Sequence, residues 1–322
     1  MAALREVGDL GDWSGKLFPH AVDFNAPLSG LDSVSWIKFL PKETTLFHFA
    51  GDTRFTPQNP AAQREVNVQG PLNVVGAWQG KISRFVHIST AYVAGNRTGL
   101  VREDELDCGQ TFWNSYEKSK FDAEMMLNAF CRKQKIPFVI IRPSIIVNDR
   151  ISGRASTFTH LNALVEVVSR SQAYYGISDG QVVNKTIRVM ADPEARPNLA
   201  AVDSIVPPLV KIAESPAAAG KTFHLCHPRP QSNAEIMDLL CETFKVKGKL
   251  TLEFLEHIPK PMSHTEEMVF RSLKVYAPYL NNSCEFDLSN SRSVVPEYDS
   301  YFSPLDTGYL QKVAKFQRQS RE

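Results

Sequence analysis

The chain has 322 residues, 43% hydrophobic and 22% charged, which suits one large or two small globular domains and excludes a disordered chain. Its 36 Lys and Arg against 35 Asp and Glu leave a formal net charge of +1, so no whole-molecule field points to nucleic acid as a partner. No apolar run approaches the roughly 18 residues that span a bilayer, and the opening "MAALREVGDLGDWSG" lacks a leader pattern, so no membrane span is expected and the expected location is the cytoplasm.

In chain order, "TTLFHFAG" (44–51) and "SRFVHIST" (83–90) are apolar runs predicted as buried strands, and "QREVNVQGPLNVVGAW" (63–78) between them has helical spacing. A loop with Gly95, Gly99 and Gly109 leads to a helix predicted from about Asn114 to Lys135, and then to "PFVIIRPSIIV" (137–147), a β-branched strand. Strands alternating with helices predict a parallel α/β sheet with right-handed crossovers. Beyond residue 150 the alternation weakens: a helix is predicted over 156–172, a short strand entering a helix over 198–215, and a strand over 221–228. Ser232-x-x-Glu235 has capping-box spacing and predicts a helix start. The C-terminal third, with "IPKPMSH", "YAPYLNNS" and "VVPEYDSYFSP", is rich in Pro, Tyr, Asn and Ser and is expected to cap or line a site rather than build a sheet. The predicted organisation is a partial nucleotide-binding core over 1–150. The segment 151–322 returns strands to the core at about 198–228 and forms a smaller substrate-binding cap.

Tyr116 and Lys120, four apart on a helix, share one face. A neighbouring ammonium favours a phenolate, which would lower the tyrosine from its usual pKa of about 10 toward the range of general acid–base work. The spacing alone arises by chance in about half of such chains, so its surroundings must decide. Ser89 and Thr90 end the strand before this helix, which places a hydroxyl at the carboxyl edge of a parallel sheet, where open α/β folds bind ligands. Pro143 and Ser144 end the strand after it. Thr90 also suits a cap, Asn67 a helix start and Pro143 a strand terminator, each without any chemistry. His48, His87, His224 and His227 show no metal-binding spacing and are expected as core or edge histidines, and "ISTAY" lacks a hydrolase elbow. The five cysteines contain no C-x-x-C pair and suit free thiols. Phe112, Trp113, Tyr174 and Tyr175 border the expected cleft in sequence and are candidate lining for a substrate channel, though aromatics near a helix start also suit plain packing.

From about Asp23 to Phe244 the chain resembles the extended short-chain dehydrogenase/reductases, through "VDF" (22–24), "LFHFAGDTRF" (46–55), "NVQGPLNVV" (67–75), "FVHISTAYVAG" (85–95), "YEKSK" (116–120), "IIRPSIIV" (140–147) and "NLAAVDSIVPPLV" (198–210). "VDFNAPLSGLD", "HISTAYVAG" and "NLAAVDSIV" look most like the branch of thioester reductases and fatty acyl-CoA reductases. The resemblance implies a Rossmann-like doubly wound parallel sheet, NADP(H) as cofactor with NAD(H) as the alternative, and an acyl thioester on CoA or a carrier protein as substrate. It implies that Thr90 polarises the carbonyl, Tyr116 donates the proton and Lys120 holds the nicotinamide ribose. By the same resemblance Asp23 and Phe24 match the adenine turn, and Phe49, Ala50 and Gly51 the strand end along the cofactor. Asn67 matches the structural asparagine behind the catalytic helix, Ser89 the strand end, and Pro143, Ser144 and Ile145 the nicotinamide border.

The family's Gly-x-x-Gly-x-x-Gly turn, whose backbone approaches the pyrophosphate, is not recognised. Its nearest imitation, Gly8, Gly11 and Gly15, is one residue too long and contains Asp9 and Asp12, which repel phosphate. The expectation is a first βαβ unit missing from the sheet, an edge that a partner chain or dimer would cover, and weakened or lost cofactor affinity. Two other functions therefore stand beside acyl reduction to aldehyde or alcohol. One is a non-redox relative that binds, scaffolds or releases chains without cofactor, and the other is a sugar-nucleotide epimerase or dehydratase.

Overall fold

The computed structural model describes residue 23 and residues 44–78, 80, 82–177, 185–257, 260–282 and 284–320. Phe24, Gly8, Gly11 and Gly15 lie outside the described residues, as does the expectation of missing strands, which bears on residues 1–43.

In the first half, β1 (Thr45–His48) is followed by α1 (Pro60–Arg64), a π-helical turn (Glu65–Gln69) and α2 (Gly70–Ala77). Next come β2 (Arg84–Ile88), β3 (Gly99–Val101), α3 (Ser115–Gln134), β4 (Phe138–Pro143) and β5 (Ile145–Val147). In the second half α4 (His160–Tyr174), β6 (Lys185–Met190), β7 (Leu199–Ala201), α5 (Val202–Glu214) and β8 (Thr222–Leu225) precede α6 (Asn233–Thr243) and β9 (Leu250–Leu255). α7 (His264–Leu273), α8 (Ala277–Leu280), β10 (Cys284–Phe286), α9 (Ser289–Val294) and α10 (Thr307–Gln319) complete the chain.

The main sheet is parallel, in the order β1-β2-β4-β8. β2, β4 and β8 are mostly buried on both sides and so read as near-continuous apolar runs, whereas β1 is only half-buried. The two-residue period then sorts the side chains. Phe85, Phe138 and Ile140 pack with Val75, Leu127 and Cys131 of α2 and α3 on one face. Val86, Val139 and Ile141 pack with Ile205, Leu209 and Ile212 of α5 on the other. The expected strand over 137–147 divides at Ser144: β4 stays in the main sheet, whereas β5 pairs with β7.

A third apolar cluster joins α4, α6 and α10 to Ile187 and Val189 of β6. α4 is buried on every side from His160 to Val168 because it is enclosed by these elements. The capping box at Ser232 is present, its hydroxyl accepting from Glu235 N while the Glu235 carboxylate accepts from Ser232 N. Two parallel pairs were not legible beforehand, β6 with β9 and β3 with β10, and the second corrects the expectation that the C-terminal third builds no sheet. Cys284–Phe286 is too short and too polar to announce a strand, and its partner lies far away in sequence.

Candidate active site

The carboxyl ends of β1, β2 and β4 and the N-terminus of α3 meet at one edge of the main sheet. α3 starts where Asn114, in extended conformation, accepts a hydrogen bond from Glu117 N at 3.0 Å. Tyr116 lies in the first turn and Lys120 one turn further on.

Thr90, just past β2, accepts from Tyr92 N at 3.3 Å and so caps the 3-10 turn Ala91–Ala94. Its hydroxyl lies close enough to the Tyr116 phenol to favour the ionised form of that phenol. Burial pushes the Tyr116 phenol up to about 12, and the Thr90 contact opposes that rise. Lys120 is buried; its Nζ donates to Ile88 O at 2.6 Å and lies 3.3 Å from His87 Nε2. Burial lowers its pKa to about 8, opposed by Glu124 one turn along the helix. Glu124 is itself held by the buried Arg142 through a two-pronged contact, Nε to Oε1 at 3.0 Å and Nη2 to Oε2 at 2.8 Å.

The expected lowering of Tyr116 by the Lys120 ammonium is therefore corrected. Desolvation dominates the phenol, and the ammonium is engaged by β2 instead. A phenol this basic keeps its proton at neutral pH and suits an acid rather than a base.

Asn67 sits behind the site. Its Oδ1 accepts from Asp52 N at 2.7 Å, while its Nδ2 donates to Asp52 O at 2.9 Å and to Ser119 Oγ at 2.8 Å, tying the loop after β1 to α3. Gly51 belongs to the same lock, because a Cβ there would come within 3.1 Å of Asn67 Oδ1. Phe49, 64% exposed, stacks on Phe47, and Ala50 follows it half-buried at the end of the strand. Ser89 N donates to Ile141 O at 2.7 Å, and its buried hydroxyl finds no partner among the described residues. Pro143 pairs with Leu225, Ser144 N donates to Leu225 O at 3.0 Å, and Ile145 N donates to Asn198 O at 3.1 Å. Pro143 and Ser144 thus adjoin the end of β8, whereas Ile145 lies beside the start of β7. Asp23 is exposed.

Four residues near the site were missed. Phe55 packs at 6.0 Å from the Tyr116 ring, 6.0 Å from Tyr276 and 5.5 Å from Tyr279. Tyr279 of α8 donates to Glu117 Oε1 at 2.5 Å and accepts from Asn114 Nδ2 at 2.9 Å. Asn114-x-x-Glu117 has cap spacing and could have flagged Glu117, and His87 stood in the quoted strand. Nothing local marks Phe55 or Tyr279. Tyr174 and Tyr175 form an edge-on pair at the end of α4 opposite to His160, which stacks on Tyr276. Fourteen residues of helix, about 21 Å, separate them from that stack. Phe112 lies beside Phe121 at 5.1 Å and lines an open groove at the start of α3. Among the described residues no helix is long and apolar enough to cross a membrane.

A parallel sheet carrying a hydroxyl, a tyrosine and a lysine at its carboxyl edge defines a short-chain dehydrogenase-like α/β protein. The sequence profile of the male sterility protein family, an NAD-binding family, matches residues 3–191, and the chain belongs to that family, a branch of the extended NAD(P)-dependent reductases. Over 246 residues it is 22% identical to a non-canonical nonribosomal peptide synthetase of Aspergillus hancockii, covering 73% of this chain and 22% of that protein. Over 231 residues it is 24% identical to a nonribosomal peptide synthetase of Aspergillus flavus, covering 69% and 21%. The chain thus spans about a fifth of the length of these relatives. Its fold is similar to the terminal R domain of the myxalamid PKS-NRPS pathway, with TM-score 0.73, 17% identity and coverage of 98% of this chain and 79% of that one. It is also similar to the thiolation-reductase di-domain of an archaeal non-ribosomal peptide synthetase, with TM-score 0.70, 15% identity and coverage of 99% and 66%. RMD of Pseudomonas aeruginosa, solved with NADPH, matches at TM-score 0.64, 16% identity and coverage of 94% and 89%.

Proposed function

We propose that this chain reduces a thioester-bound acyl group, carried on CoA or a carrier protein, to the aldehyde or on to the alcohol. The observation that carries this reading is the Thr90 hydroxyl acting on a Tyr116 phenol that holds its proton, with Lys120 one turn away. The residues suit a nicotinamide dinucleotide: the backbone at 49–51 ends β1 partly open to solvent, and the unpartnered Ser89 hydroxyl lies at the same edge. Phe49, Ala50, Gly51, Ser89, Lys120 and the Pro143–Ser144–Ile145 turn would hold it, with NADP(H) the proposed form. Such a cofactor supplies the hydride. Thr90 and Tyr116 grip the carbonyl oxygen, and Tyr116 passes its proton to that oxygen as negative charge develops there. The carbon–sulfur bond then breaks as the new hydroxyl gives up its proton to the departing sulfur, so the thiol leaves and the aldehyde remains.

Tyr116→Phe is expected to lower kcat for thioester-dependent NADPH oxidation by about 10²- to 10⁴-fold while leaving the fold intact. Full activity in that variant would sink the assignment. Titration calorimetry with NADPH and NADH separates this reading from a non-redox relative, since micromolar binding excludes a chain that has shed its nucleotide site.

A further inference from the structure

Lys120 is not held by α3 alone. An ammonium has three N–H donors and no acceptor. One is used by Ile88 O at 2.6 Å, and a second points at His87 Nε2 at 3.3 Å. Both partners belong to β2. His87 is fully buried, and its Nδ1 has no hydrogen-bond partner among the described residues. A neutral imidazole carries its proton on one nitrogen only, and a donor at Nε2 would face the ammonium donor to donor. The contact therefore selects the tautomer with Nε2 bare and the proton on Nδ1, at the expense of an unpaired buried N–H.

We propose that His87 is a positioning residue for Lys120: a permanently neutral imidazole that accepts one ammonium proton and leaves one N–H of the lysine for the ligand edge. The charged groups around the pair agree with a neutral ring. His48 of β1 stacks on His87 at 5.3 Å, and Glu124 of α3, the carboxylate whose charge acts on Lys120, is already paired with Arg142 of β4. Burial, then Lys120, then His48 hold the His87 pKa well below its usual value. Strand alternation places His87 and Ser89 on the same side of β2. The role toward a ligand rests on the function proposed above, but the geometry does not.

The test uses the intact chain without cofactor. In ¹⁵N-histidine-labelled protein at neutral pH, long-range nitrogen–proton spectra should show His87 as the Nδ1–H tautomer, with an Nε2 shift that changes in Lys120→Met. A cationic His87, an Nε2–H tautomer or a signal indifferent to Lys120→Met overturns the proposal. In a second arm the ¹³Cε resonance of Lys120, identified by its loss in Lys120→Met, is titrated in wild type, His87→Phe and His87→Gln. Removing the acceptor should lower the Lys120 pKa by about one to two units, and glutamine, whose carbonyl accepts, should restore most of it. Equal titrations in all three overturn the proposal, and the tautomer arm stands even if His87→Phe does not fold. Neither arm needs turnover, so missing thioester reduction would count against the proposed function and not against His87.

Discussion

Glu117 follows Tyr116 directly, and burial pushes its carboxyl up to about 7, with the Tyr279 hydrogen bond pulling the other way. The Tyr279 hydroxyl therefore stabilises the ionised form. Tyr279→Phe should raise the Glu117 pKa further and cost about 1–3 kcal/mol of stability. The loss should be larger at about pH 8 than at about pH 6, because only the carboxylate needs that donor. Urea unfolding at the two pH values measures this, and equal losses would show that Tyr279 acts through packing alone. The Asn114-x-x-Glu117 spacing could have flagged the helix cap but not this contact, since the partners lie 162 residues apart.

At the scale of elements, the π-helical turn explains how Asn67 reaches its partners. Pro71 has no N–H to offer the carbonyl of Asn67, four residues back, and its ring would crowd that carbonyl, so a regular α-helix cannot run through this point. The chain widens to a π turn over Glu65–Gln69. Asn67, buried there, bonds Asp52 on one side and Ser119 on the other. Asn67→Ala removes three hydrogen bonds, one buried and two partly buried, and should cost about 2–4 kcal/mol in chemical denaturation. It should also loosen the loop that sets Phe55 against Tyr116. Unchanged stability would mean that Asp52 and Ser119 find other partners.

For the whole molecule, acid sensitivity follows from histidine burial. Burial holds His48 at about 4 and His160 and His224 at about 3, and lowers His87 and His227 too, all from an ordinary 6.5. The unfolded chain thus takes up these protons first, and their contribution is lost as pH falls below about 6.5. Glu103 and Glu117 act the other way. Their folded values of about 7 exceed 4.5, so their contribution is full at low pH and is lost as pH rises through 7. Five imidazoles outweigh two carboxyls, so the melting temperature should fall between about pH 6.5 and pH 5, and fall more steeply in Glu117→Gln. A melting temperature that holds steady or rises on acidification would contradict this balance.

By itself the sequence determined the strands β1, β2, β4 and β8, the long helix bearing Tyr116 and Lys120, and the order of the site motifs along the chain. Those features rest on local periodicity, capping and strand-end chemistry, which neighbouring residues carry. Only the tertiary structure decided that Lys120 turns to Ile88 and His87 rather than lowering Tyr116, that Tyr279 closes on Glu117, and that β6 finds β9. Each depends on desolvation or on a partner distant in the chain, and neither is written in the spacing of adjacent residues.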